Sequence, residues 1–256
     1  MAAEKSKASG KNAAYDRLRK AIKEKAPARA YLFYGEESYL RQTYVQQLQE
    51  LLIPKGSEDF NLHRLSGSRV TTQDVADAVE SMPMMAPSTL VTVTDWDIFR
   101  LDESQRSQLT ELLEDLPDYC TVVFIYDTVP YKPDRKMKKL TAVIDKNVEV
   151  VEFQGQSWDA LVRWLQKRFR ALGRSIDQQT ADYMLFYCGS MMDNLIGEVN
   201  KVAAFAKAEQ VTAADIAAVA EPVLDARIFD MTNHISARDY NKAAAVLGDL
   251  LRMQTE

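Results

Sequence analysis

The sequence predicts an α/β domain with a doubly wound, mainly parallel sheet, followed by a small all-helical, lid-like bundle. Three observations carry this. Five short apolar or β-branched runs alternate with amphipathic stretches over about residues 28–153. One of them, TVVFIY at 121–126, is apolar almost without a break, as in a central strand buried on both faces. From Ser157 onward the alternation stops and only helical spacing remains.

The first eleven residues, MAAEKSKASGK, are small, polar and charged, and are expected to be disordered. Asn12 can cap a helix running to about Lys25, with Tyr15, Leu18 and Ile22 on one side. The run 31–34 is an aromatic strand ended by Gly35. Glu36 and Glu37 open a helix carrying Leu40, Val45, Leu48 and Leu52, stopped by Pro54 and Gly56. Residues 60–65 alternate like a strand, with His63 on the polar side. Thr71 or Thr72 caps the next helix, which buries Val75, Ala78, Val79 and Met82. A β-branched strand follows at 89–95, a helix at 101–116 ending at Pro117, the central strand at 121–127, a basic helical start at 134–140 and a fifth strand at 148–153.

In the helical region Ser157 caps a helix closed by Gly173. Trp158, Leu161, Val162, Leu165, Phe169 and Leu172 share one face of it. Arg163, Lys167, Arg170 and Arg174 share the other, as a solvated face or a contact to nucleic-acid phosphate or an acidic partner. Asp177 caps another helix, residues 191–206 form a third, and Thr212 with Asp215 resembles a capping box. Asp225 and Asp239 cap two more. Two such helices cannot bury both their faces alone, so a continuation, a cut chain or docking onto the preceding bundle is expected. The expected divisions are 1–27, a tail and first helix; 28–155, the α/β domain; 156–222, the bundle; and 223–256, the start of an incomplete third domain.

Bulk properties narrow the function. A net charge of −5 over 256 residues argues against a general electrostatic DNA binder, though not against a local basic face. Two cysteines, Cys120 and Cys188, and two histidines, His63 and His234, cannot assemble a metal site of standard spacing. No metal is expected, and the thiols read as reduced core residues. No run of 18 apolar residues and no apolar signal core occur, so a cytoplasmic protein without a membrane contact is expected.

Strand, glycine turn and helix near the start of an α/β domain is where a phosphate loop sits. Counted from Gly35, the second glycine of G-x-x-x-x-G-K-[ST] is Leu40, the lysine is Arg41 and the hydroxyl residue is Gln42. Leu40 denies close backbone approach, and Gln42 replaces the magnesium-binding hydroxyl. Asp127, at the end of the central strand, occupies the place of a magnesium-binding acid, or serves as a turn or cap residue. No cofactor and no catalysis by this chain's own residues are expected.

Met82, Pro83, Met84, Met85 and Pro87 lie between a helix and a strand. The prolines flanking Met84 and Met85 discourage helix and fix a turn. The turn is either a plug folded onto its own sheet or, since methionine adapts to binding surfaces, a contact site.

Four stretches carry a family resemblance: YLFYGEESYL at 31–40, ESMPMMAPSTLVTVTD at 80–95, residues 121–139 with Asp134, Arg135 and Lys136, and CGSMMDNLIGEVNKV at 188–202. In order and spacing the chain resembles the delta-subunit family of bacterial DNA polymerase III, in the clamp-loader branch of the AAA+ proteins. The resemblance implies a RecA/AAA+-like sheet domain without a working phosphate loop. It implies a non-catalytic clamp-loader subunit of a DNA-directed DNA polymerase complex, acting in DNA replication. Its partners would be the sliding clamp (beta), motor subunits of the tau/gamma kind and delta-prime, with DNA reached through the assembly. It also implies that Met84 and Met85 enter a hydrophobic pocket on the clamp, where the family carries bulkier leucine or phenylalanine. Delta subunits continue into a third helical domain that joins a pentameric collar; the resemblance implies that here this domain would begin near Asp225 and lack most of its length. A divergent phosphate-loop hydrolase or transferase using Arg41 and Asp127, and an AAA+-type DNA-binding adaptor using the basic face, are the alternatives.

Overall fold

The computed structural model describes residues 2–67, 69–134, 136–236 and 238–253. Backbone contacts divide the chain into two units, residues 1–154 and 155–256.

The first unit is a five-stranded parallel sheet with helices on both faces. Its strands are β1 (Ala30–Tyr34), β2 (Leu62–Ser66), β3 (Thr89–Thr94), β4 (Cys120–Ile125) and β5 (Glu149–Glu152). The order across the sheet is β2-β3-β4-β1-β5, so β4 lies at the centre and β2 at an edge. Alternation along the strands feeds two cores. Leu32, Val91, Val93, Val122 and Phe124 point to one face, under α4 (Thr72–Glu80), α5 (Glu103–Glu114) and α6 (Lys138–Asn147). Tyr31, Phe33, Leu90, Val123 and Val151 point to the other, under α1 (Ala2–Glu24) and α2 (Ser38–Leu52).

Local chemistry sets the helix starts. Thr71 and Asp74 form a reciprocal capping box on α4, and Asp102 with Gln105 does the same on α5. Several expectations need correction. The first helix begins at Ala2 rather than Asn12, because the alanines, lysines and glutamate of this stretch favour helix and one glycine costs only about 1 kcal/mol. Phe60 and Asn61 belong not to a strand but to a one-turn helix, α3 (Glu58–Asn61), started by two acids after the Gly56 turn. His63 is half-buried, with Nε2 shielded from solvent, rather than on the surface.

The second unit holds α7 (Trp158–Ala171), α8 (Gln178–Cys188), α9 (Met192–Phe205), α10 (Ala213–Val219), α11 (Leu224–Ser236) and α12 (Tyr240–Met253). Ser157, Asp177 and Thr212 cap α7, α8 and α10 with their side chains, the last in a complete capping box with Asp215. Asp225 falls inside the first turn of α11 rather than before it. One parallel bridge, Ser175 to Gln210, ties two loops together without making a strand. Burial pushes both cysteine thiols up, Cys188 to about 12. Among the described residues no helix is long and apolar enough to cross a membrane, and no cluster of histidine, cysteine or carboxylates is arranged to hold a metal.

Candidate functional site: two ends of one sheet

All five strands run parallel, so the loops divide cleanly. Those leaving carboxyl ends carry Gly35, Asp95 and Asp127, with Arg41 in the first turn of α2 beside them. Those entering amino ends carry the methionine turn. Small ligands of open α/β sheets bind at the carboxyl ends.

At that end the turn after β1, where a phosphate would sit, is filled by the protein's own groups. Gly35 sits at φ 122°, and a Cβ there would overlap the Phe153 carbonyl and stand 2.7 Å from the Phe153 nitrogen. The glycine is required by packing against the end of β5. The Glu37 amide, which would otherwise face a phosphate at the start of α2, donates to the Phe153 carbonyl at 3.1 Å. The Glu37 side chain is fully buried there. Leu40 packs against the Tyr31 and Phe33 core. Arg41, only 2% exposed, donates to the Gly35 carbonyl at 2.6 Å and pairs with Asp127. Asp127 is thus the partner of a buried guanidinium. The exposed Gln42 lines a cavity with Arg41, Val45, Gln49, Ile125 and Asp127; its volume of about 260 Å³ falls below the roughly 300–1,000 Å³ of ordinary ligand pockets, while a second cavity of about 590 Å³ opens between the loops after β3 and β4, lined by Asp95, Phe99, Thr128 and Lys132.

Asp95 was not marked by sequence reasoning, although its place after a β-branched strand was the available signal. It takes a φ of 55°. Its carboxylate accepts from the amides of Asp127, Thr128 and Val129 at 2.9, 2.9 and 3.0 Å and from the Thr128 hydroxyl at 2.7 Å. Burial alone would raise its carboxyl; these hydrogen bonds outweigh it and hold the group below the usual carboxylate range. A loop of converging amides, which elsewhere cradles anions, is satisfied here from within.

The amino end is open. Met82, Met84 and Met85 are 76, 55 and 92% exposed, so the reading of this turn as a plug on its own sheet is corrected. Pro83 is half-buried and Pro87 exposed. Met85 takes a left-handed φ of 57°, uncommon for a side chain of this size. The turn is anchored from beneath. Asn61, fully buried, accepts from the Met84 amide and donates to the Met84 carbonyl, both at 2.8 Å. On one flank the Tyr119 hydroxyl donates to the Glu80 carbonyl, and on the other the Thr89 amide donates to the Tyr119 carbonyl. Proline keeps the segment out of helix, and these bonds keep its apolar side chains out of the core.

On α7, Leu161, Val162, Leu165 and Phe169 are buried, while Arg163, Lys167 and Arg170 are exposed. Arg174 does not belong with them. Just beyond Gly173, it donates to the carbonyls of Ala203 and Ala208 at 3.0 and 3.3 Å and caps the end of α9. Trp158 and Leu172, at the ends of the apolar stripe, are partly exposed, and the Trp158 indole donates to Asp182 at 2.6 Å.

Comparison with known proteins agrees with this fold. Residues 31–154 match the family described as DNA polymerase III, delta subunit. The chain is 23% identical over 233 residues to DNA polymerase III subunit delta of Bacillus subtilis. It spans 66 and 64% of the lengths of the curated relatives it matches, about two thirds or slightly less. Among solved structures, the Bacillus subtilis DNA clamp loader delta protein (YqeN) superposes with a TM-score of 0.64 at 21% identity, covering 95% of this chain and 73% of that one. The RuvB Holliday junction branch migration motor of Thermotoga maritima superposes with a TM-score of 0.51 at 15% identity, covering 93% of this chain and 80% of that one. These two likenesses concern the fold: an AAA+-like α/β domain followed by helices. Over residues 31–154, just under half of its length, the chain is similar to the DNA polymerase III delta-subunit family.

Proposed function

We propose that this chain is a clamp-loader subunit that hydrolyses no nucleotide itself and grips one protomer of a sliding clamp through Met84 and Met85. The observation that carries this is the exposed methionine pair on a turn tied to the buried Asn61. Occupation of the phosphate-loop position by Arg41, bonded to Gly35 and Asp127, supports the non-catalytic part. ATP is then bound and hydrolysed by neighbouring motor subunits of the tau/gamma kind, in an assembly that also holds delta-prime. Their state exposes or hides the turn, and the gripped ring is stabilised open for loading onto DNA. The residues around the methionines, Met82, Pro83 and Pro87, shape the contact.

Burying two methionine side chains contributes roughly 3–6 kcal/mol before the costs of association, enough to anchor an interface. The test is a titration of the full chain with the sliding clamp of its own organism. The wild type binds at micromolar affinity or tighter. The double variant Met84→Ala, Met85→Ala stays folded and loses on the order of a hundredfold in affinity. Equal affinity for both chains would sink the assignment of the anchor.

A second contact is favoured by the free exposure of Arg163, Lys167 and Arg170 along α7. It is a DNA-backbone contact made within the assembly, and Arg174 takes no part in it.

A further inference from the structure

We propose that Asn61 is a positioning residue that holds the Met84 and Met85 turn in its presented form before any partner arrives; this rests on the clamp-binding reading above. The topology places Asn61 where it can do so. Leu62 of the edge strand β2 is in register with Leu90 of β3, so Asn61 lies level with Thr89, where the chain enters β3. The methionine turn has to pass it.

Asn61 is the last residue of α3 and is fully buried. Its Nδ2 donates to the Ser57 carbonyl and to the Met84 carbonyl, each at 2.8 Å, and its Oδ1 accepts from the Met84 amide at 2.8 Å. The two bonds to Met84 close a ring like that between paired strands. The bond to Ser57 fastens the amide to its own helix. Only one orientation of the amide satisfies all three partners, since turning it over would set donor against donor at the Met84 amide. The next residue, Met85, sits at φ 57°. Such a conformation costs energy and persists where the surroundings over-determine it. Pro83 and Pro87 restrict the chain on either side, and Asn61 supplies the fixed point between them.

The chemistry is specific to an amide. Aspartate would keep the acceptor for the Met84 amide but face the Ser57 and Met84 carbonyls with a second acceptor. Alanine would remove all three bonds. In either variant the turn samples other conformations, and affinity falls by the fraction of time spent in the presented one.

The experiment compares the full-length wild type, Asn61→Ala, Asn61→Asp and the Met84/Met85 double alanine. Each is titrated with the organism's sliding clamp, and exchange of the Met84 amide is followed in the free chain. Both Asn61 variants are expected to bind about tenfold more weakly. They should lose protection at the Met84 amide while protection along β3 and β4 stays at the wild-type level. A merely structural Asn61 lowers the thermal midpoint but leaves clamp affinity unchanged, and that result overturns the proposal. Should Asn61→Ala fail to fold, Asn61→Asp, which keeps the side-chain volume and one bond, carries the comparison. Wild-type affinity in the Asn61 variants, with binding lost in the double alanine, refutes the positioning role and leaves the clamp reading standing. No binding by a folded wild-type chain removes both.

Discussion

The side chain of Asn61 and the main chain of Met84 form a closed pair of hydrogen bonds, 2.8 Å in each direction, joining a buried residue to an exposed one. A short apolar turn in water would ordinarily fold its side chains inward. Here the polar backbone of Met84 is bound from below, and the adjoining apolar side chains are left outside. The two ends of the sheet differ in character: one presents apolar surface, while at the other Arg41 and Asp95 are bonded from within.

Gly35→Ala should be among the most damaging single substitutions in the α/β unit. The new methyl group meets backbone rather than a flexible side chain, and the φ of 122° is strained for any L residue. The loss expected is at least about 2 kcal/mol, a fall in thermal midpoint of several degrees, read by calorimetry or thermal circular dichroism.

Arg41→Ala should destabilise without altering nucleotide affinity. It removes a buried guanidinium bonded to Gly35 and Asp127, worth about 1.5–3 kcal/mol for hydrogen bonds to a charged group. Titration with magnesium ATP should give no binding heat for wild type or variant. ATP binding that disappears in Asp127→Ala would instead favour the alternative, a divergent phosphate-loop hydrolase or transferase.

Acid should loosen the loop after β4 through Asp95. Burial would raise this carboxyl, but the bonds from Val129, Thr128 and Asp127 dominate and its folded pKa is lowered. Its stabilising contribution is therefore fully present above the unfolded value of about 3.9 and is lost as pH falls through the lower folded value. The amide resonances of Asp127, Thr128 and Val129 should shift together in that acid range. In Asp95→Asn this shared step should vanish.

The cations of α7 should separate by role. Reversing Arg163, Lys167 and Arg170 to glutamate should weaken DNA binding by the assembled loader. It should also reduce the slope of log affinity against log salt by about 2–3, the value for three phosphate contacts. Arg174→Ala should leave that slope alone and destabilise the helical unit by about 1 kcal/mol or more, because two carbonyls lose their donor. Protein stability and salt-dependent binding, measured side by side, check both halves.

Much of this was legible in the chain itself. Strand and helix spacing, the capping pairs at Thr212 and Asp215, and the apolar run at 121–126 are local signals, and local signals survive without tertiary context. The departure from the phosphate-loop pattern was equally plain from Leu40 and Gln42. Arg174 was misplaced because helical spacing continues its row with Arg163, Lys167 and Arg170. Spacing alone could not reveal that Gly173 turns the chain away, leaving Arg174 to meet Ala203 some thirty residues on.

What the sequence by itself determined is the order of elements, the departure of residues 35–42 from the phosphate-loop pattern and the prolines that make 82–87 a turn. What only the tertiary structure decided is the direction in which those residues face. Arg41 and Asp127 are 86 positions apart, and Asn61 and Met84 are 23 apart. A parallel sheet brings residues from separate βα segments to the same end, so such pairs leave no periodic trace along the chain. An exposed methionine and a buried one are identical until the backbone beneath them is held.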